Sequence, residues 1–221
     1  GGSMLFVIFT YNREAMLMHL LHELRGNGAV LVIDDGSNYD LSVYPYQKLI
    51  RTIHEGKQGF WKKWLLARQI ALATNHEYFV FLPDDVSNVD IDALDTITSQ
   101  GWNDRLFAMT LCNTGERYRW GKHRPIQEDF DLANRTWQQC DYVDGCFITN
   151  RTTLEAFDID PVPLEWFDRP DKSSGVGYQM TMKLRALGCP MMLPDKSVVH
   201  HGDHESVMHK EHRVTTKLIS K

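Results

Sequence analysis

Residues 79–90, FVFLPDDVSNVD, run an apolar segment into two adjacent aspartates, Asp84 and Asp85. An aspartate after a proline ordinarily opens a turn or caps the next helix. Two neighbouring carboxylates at the tip of a buried strand also repel each other. A hard divalent cation, Mg²⁺ or Mn²⁺, relieves that repulsion by accepting their oxygens. Magnesium is commonly held by one or two carboxylates and completed by phosphate oxygens and water, so the pair points to a substrate that carries a diphosphate.

Other clusters offer polar chemistry. TYNR at 10–13 and DDGS at 34–37 each close an apolar run. The stretch SVVHHGDHESVMHKEHR holds five of the ten histidines, at spacings that match no standard zinc template. Composition alone suits adventitious metal binding or a solvated surface there. GERYRWGKHRP at 115–125 sets Arg117, Arg119, Lys122 and Arg124 beside Tyr118 and Trp120. It reads as a solvated loop, although the same residues can stack on a sugar or base and touch phosphate.

The elements that must position these groups follow from hydrophobic periodicity. MLFVIFT predicts a strand, and Met16, Leu17, Leu20, Leu21 and Leu24 recur at helical spacing until Gly26. AVLVIDDGS predicts a second strand, and near-continuous apolar runs separated by a helix are what a parallel sheet covered on both faces requires. Residues 58–75 predict a second amphipathic helix leading into the strand YFVFL, giving β-α-β-α-β. Further along come a short helix at 90–99, a strand at LFAMTLC, a polar loop over 113–129 and a strand at YVDGCFIT. A short helix at 151–157, a Pro-rich loop over 158–171, a helix ending near Gly188 and a strand at SVVHH complete the chain. In open α/β sheets ligands lie beyond the carboxyl ends of the parallel strands, so TYNR, DDGS and PDDV are expected to converge on one crevice.

The 221 residues, 43% of them hydrophobic, suffice for one core, and no repeat or linker divides them. Gly1-Gly2-Ser3 before Met4 reads as a cloning remnant, leaving 4–221 as a single domain with halves at 4–112 and 113–221. MLFVIF is too short for a membrane span and lacks the flanks of a signal peptide, so membrane insertion and export are not expected. The four cysteines, at 112, 140, 146 and 189, show no paired metal-ligand spacing and suit a reducing, cytoplasmic setting. A net charge of −5 argues against a protein whose main task is coating nucleic acid.

FVIFTYNREAMLMHLLHELR, AVLVIDDGSNYD and EYFVFLPDDV together resemble the nucleotide-binding half of a GT-A glycosyltransferase, similar to the large family 2 group. The resemblance implies the GT-A (nucleotide-diphospho-sugar transferase) fold, an α/β architecture with a mostly parallel central sheet flanked by helices. It implies that Thr10, Tyr11, Asn12 and Arg13 line the nucleotide and that Asp35, or Asp34, accepts from a base N–H. Asp85, helped by Asp84, would hold the cation. Pro83 departs from the pattern, standing where many members carry the first aspartate of Asp-x-Asp. HEGKQGFWKK matches a glycine-containing family segment, which would put Lys57 near the diphosphate; as plain sequence it is a solvated turn before a helix. Asp144-Gly145 matches a strand facing the donor sugar, or else marks a bulge. His-x-Gly-Asp after a Val-Val strand resembles a family ending in which a histidine returns to the metal, His200 by this match and His201 as the alternate.

The chain departs furthest at the catalytic base. Inverting members place an acidic residue near the start of the helix that here reads GVGYQMTMKLRALG, where this chain has Val176, Gly177, Tyr178 and Gln179. Asp168 or Asp171, and less so Glu165, would supply a base from the preceding loop; a retaining mechanism assisted by the leaving diphosphate needs none. Carboxylates such as Asp144 would favour an oxocarbenium-like transition state. The function expected is metal-dependent transfer of a sugar from a nucleoside-diphosphate sugar to an acceptor hydroxyl on a glycan, a lipid-linked sugar, a protein or, as a minority reading, modified DNA. The alternatives are a non-catalytic nucleotide-sugar or glycan-binding module and a nucleotidyltransferase. The latter usually needs a Gly-rich basic loop after the first strand, which TYNREAM lacks.

Overall fold

The computed structural model describes residues 2–42, 48–113, 127–143 and 145–202. Strand β1 (Met4–Thr10) leads through helix α1 (Glu14–Leu24) to β2 (Ala29–Asp34) and then β3 (Lys48–Arg51). Helix α2 (Gly56–Leu72) returns the chain to β4 (Tyr78–Pro83), and a turn at Asp84 and Asp85 joins it to the two-residue β5 (Val86–Ser87). Helix α3 (Ile91–Thr98) opens on an aspartate cap, Asp90 accepting from the Ala93 N–H, and precedes β6 (Ala108–Thr110). Next come β7 (Phe130–Leu132), β8 (Arg135–Gln139), β9 (Phe147–Asn150) and α4 (Arg151–Ala156). A 3-10 turn (Leu164–Asp168), α5 (Val176–Ala186), β10 (Met191–Pro194) and β11 (His200–His201) complete the order.

Among the described residues nine strands form one sheet in the order β3-β2-β1-β4-β9-β6-β10-β8-β7, and β11 pairs with β5 as a separate two-stranded ribbon. β8 and β9 run against the other strands, so the sheet is mixed but mostly parallel, as expected from the sequence. Alternation along each strand sends side chains to opposite faces. Phe6, Ile8, Val30, Val32, Val80 and Leu82 pack with Leu17, Leu20, Leu21 and Leu24 of α1 and with α3. Leu5, Val7, Leu31, Ile33, Phe79 and Phe81 pack on the other face with Trp64, Ala67 and Ala71 of α2 and with Val176, Met180 and Leu184 of α5. Both faces are therefore buried, which is why these strands read as unbroken apolar runs.

From β1 the chain winds outward through β2 and β3, then crosses back to β4 on the other side of β1. That reversal is a topological switch point, and it opens a crevice at the carboxyl ends of β1 and β4. Register makes the convergence concrete: Thr10 pairs with Asp34, and Phe9 with Pro83.

Several expectations change. β3 interrupts the expected β-α-β-α-β run; it is four residues long, half exposed and, among the described residues, paired to β2 alone, too weak a pattern to read from sequence. The β7–β8 hairpin turns on Ala133 and Asn134, both in the left-handed region at φ 55 and 58, without the Asn-Gly or Asp-Gly signal that marks such turns. β10 was likewise not foreseen. The strands expected at 106–112, 142–149 and 197–201 contract to β6, β9 and β11.

Candidate functional site

The acid pair sits where the strand tips meet. Asp84 follows β4 directly, and its carboxylate accepts from Thr10 Oγ1 at 2.9 Å and from the Tyr11 N–H at 3.3 Å. Arg13 donates through Nη1 to Asp84 Oδ1 at 3.1 Å, and the same nitrogen lies 3.2 Å from Asp85 Oδ2. The other oxygen of Asp85, Oδ1, is 3.1 Å from His201 Nε2. The two acidic side chains are only 7% and 1% exposed. Burial pushes the Asp84 carboxyl up from its ordinary value, opposed by the Arg13 charge and by the bonds from Thr10 and Tyr11.

β11 delivers the histidine. It pairs antiparallel to β5, with His201 opposite Val86, and the Gly202 N–H donates to the Asp85 carbonyl at 2.9 Å. In so short a ribbon one step of register decides which ring faces the carboxylate. The ring at Asp85 is that of His201, the alternate, and not that of His200, whose buried Nδ1 has no hydrogen-bond partner among the described residues.

The DDGS loop divides its two carboxylates between different tasks. Asp34 is buried and accepts from the Ser37 N–H at 3.1 Å, from Ser37 Oγ and from Arg51 Nε at 2.8 Å. Its oxygens are spent inside the loop. Asp35 accepts from the Glu55 and Gly56 N–H groups at 3.0 and 3.1 Å, at the start of α2, where a helix favours negative charge. His54 Nδ1 lies 2.9 Å from Asp35 Oδ2, and the buried Lys63 reaches to 3.5 Å of Oδ1.

Asn12 fastens the first loop to the second. In the left-handed region at φ 48, which Asn adopts more readily than most residues, it donates its N–H to Ser37 Oγ at 2.8 Å and accepts from the Asn38 N–H at 2.9 Å. Tyr11 stacks on His54, centroids 3.9 Å apart and planes 13° from parallel, giving the crevice an aromatic wall. Sequence reasoning missed His54, Arg51 and Lys63. His54 stands in the HEGK segment already singled out, whereas nothing in the helical pattern of α2 marks Lys63 as a buried cation.

Lys57, in the first turn of α2, donates through Nζ to the Lys172 carbonyl at 2.9 Å, tying the loop that carries the candidate bases to the nucleotide half. Within that loop Asp168 ends the 3-10 turn and is exposed. Asp171 is exposed and pairs with Arg169 at 3.0 Å. Asp144 lies outside the described residues, as do the basic stretch 115–125 and the histidines beyond Gly202.

Two carboxylates and one imidazole nitrogen meet at the strand tips, donor atoms of a kind that a divalent cation accepts. Asp84 and Asp85 offer hard oxygens and His201 a nitrogen that Mn²⁺ accepts, while diphosphate oxygens and water would complete the shell. Among the described residues no three His, Cys, Asp or Glu side chains form a ready-made metal cage. None of the described helices is long and apolar enough to cross a membrane.

No known protein-family profile matches the chain, and no curated protein does either. Among solved structures, a mycobacterial protein aligns with TM-score 0.53 and 13% identity, over 92% of this chain and 68% of that one. At that identity the likeness concerns the fold. Two structures of glucosyl-3-phosphoglycerate synthase from Mycobacterium tuberculosis also align, one in complex with phosphoglyceric acid and one with Mn²⁺ and uridine-diphosphate-glucose. Both have TM-score 0.34, at 16% and 17% identity, over 50% of this chain and 43% of theirs, too slight a likeness to bear on the site.

Proposed function

We propose that the protein transfers a sugar from a nucleoside-diphosphate sugar to an acceptor hydroxyl, with Asp84 and Asp85 holding Mn²⁺ or Mg²⁺. The observation that carries this reading is the buried acid pair at the switch point of the sheet, faced by His201 and by the loop after β1. A cation held by Asp84 and Asp85 would supply Lewis-acid stabilisation of the charge on the leaving diphosphate.

The chain's own groups have distinct tasks. Tyr11 and His54 offer a flat surface to the nucleobase, beside Thr10 and Asn12. Asp35 stands at the same rim, where its carboxylate can accept from a base N–H once His54 yields. Asp34 positions the loop through Ser37 and Arg51. Lys57, in the first turn of α2, is the candidate cation for the diphosphate and would have to leave the Lys172 carbonyl to reach it. Asp168 and Asp171 are the base candidates on the loop that Lys57 anchors. The acceptor is a glycan, a lipid-linked sugar, a protein or, as a minority, DNA.

A second reading, a nucleotide-sugar-binding module without turnover, is favoured by one feature: the first turn of α5 carries no acidic residue. Incubation with a panel of nucleotide sugars and Mn²⁺ separates the two. Slow hydrolysis or transfer, lost in Asp85→Ala, supports the enzyme. Binding without consumption supports the module, and neither binding nor consumption removes both.

A further inference from the structure

Arg13 occupies the ground a metal ion would need. A single guanidinium nitrogen lies 3.1 Å from Asp84 Oδ1 and 3.2 Å from Asp85 Oδ2, on a side chain 16% exposed. Two adjacent buried carboxylates cannot both stay ionised without a nearby positive charge. Arg13 is positioned to supply it. A divalent cation drawn to the same oxygens must displace that guanidinium, and the free protein loses one set of charge-assisted bonds for each set it gains. Arg13 stands between the left-handed Asn12 and the first residue of α1, with its side chain 16% exposed. From there it can turn to an incoming diphosphate, which a guanidinium fork matches.

We propose that Arg13 is the internal counter-cation of the acid pair and is exchanged for the metal as the diphosphate arrives. The free protein then binds Mn²⁺ weakly, and Mn²⁺ together with a diphosphate tightly. Arg13 is a positioning residue in this scheme, coupling the two ligands rather than reacting. The inference rests on the transferase reading, since it takes the acid pair to be the metal site.

The test is titration of Mn²⁺, followed by the electron paramagnetic resonance of the free ion, into wild type, Arg13→Gln and Arg13→Met, with and without uridine diphosphate. Without nucleotide, the variants are expected to bind Mn²⁺ about tenfold or more tightly than wild type, the scale of one charge-assisted bond no longer surrendered. Uridine diphosphate should tighten Mn²⁺ binding strongly in wild type and by a smaller factor in the variants. Mn²⁺ should also raise the melting temperature of the variants more than that of wild type. Equal Mn²⁺ affinity in wild type and variants, with binding lost in Asp85→Asn, overturns the exchange and leaves the transferase reading in place. Absence of Mn²⁺ binding in wild type even with uridine diphosphate overturns both. If the variants fold only when Mn²⁺ is present, the exchange is supported. If no divalent ion restores folding, it falls, because a metal able to replace Arg13 would supply the missing charge.

Discussion

Asp34→Ala removes a carboxylate that the fold uses entirely for itself. Two donors of the buried Ser37, its N–H and its hydroxyl, lose an ionised acceptor, each worth about 1.5–3 kcal/mol. Arg51, whose side chain is 40% exposed, recovers most of its loss from water and adds about 0.5 kcal/mol. The total is about 3.5–6.5 kcal/mol, the scale of breaking a buried charged pair and a large share of the roughly 5–15 kcal/mol that holds a domain together. For a chain of this length that lowers the melting temperature by about 10 °C. Circular dichroism melts together with urea titration measure it. Asp34→Asn, which keeps an acceptor for the Ser37 N–H, should lose about half as much. A melting temperature within about 2 °C of wild type in Asp34→Ala would refute the assignment of this carboxylate to structure. It would also return Asp34 to consideration as a nucleobase contact.

Two further outcomes follow from backbone geometry and burial. Gly36 has φ 78, and a Cβ there would stand 2.8 Å from the His54 N and 3.0 Å from the Thr52 carbonyl, backbone atoms that cannot swing aside. Gly36→Ala should therefore cost about 2–3 kcal/mol, whereas Gly101→Ala, at φ 71 with nothing within 4 Å of the added Cβ, should cost about 1 kcal/mol in the same melt. All four cysteines are buried and unbridged, and burial pushes the Cys140 and Cys189 thiols up to about 12. At pH 8 the folded protein should leave a chromogenic disulfide reagent nearly untouched and release colour from the four thiols only on unfolding; rapid reaction of the folded protein would contradict the packing.

The sequence by itself determined the frame. Continuous apolar runs at 4–10, 29–34 and 78–83 are legible because each such strand is buried on both faces, and the helical spacing of Leu17, Leu20, Leu21 and Leu24 fixes the face of α1. Polar residues at the ends of those runs mark the crevice, because parallel strands expose their carboxyl tips together. Local pattern could not reach β3 or the β7–β8 hairpin, since a four-residue, half-exposed strand and an Ala-Asn turn carry almost no local signal. Tertiary structure alone decided which of two adjacent histidines faces Asp85, because strand register, a long-range property, sets it. It also separated Asp34 from Asp35, neighbours in sequence whose partners lie up to 21 residues away. Above all it placed Arg13 between Asp84 and Asp85, 71 residues distant from the first of them. A charge pairing of that span appears only when two strand tips are brought side by side.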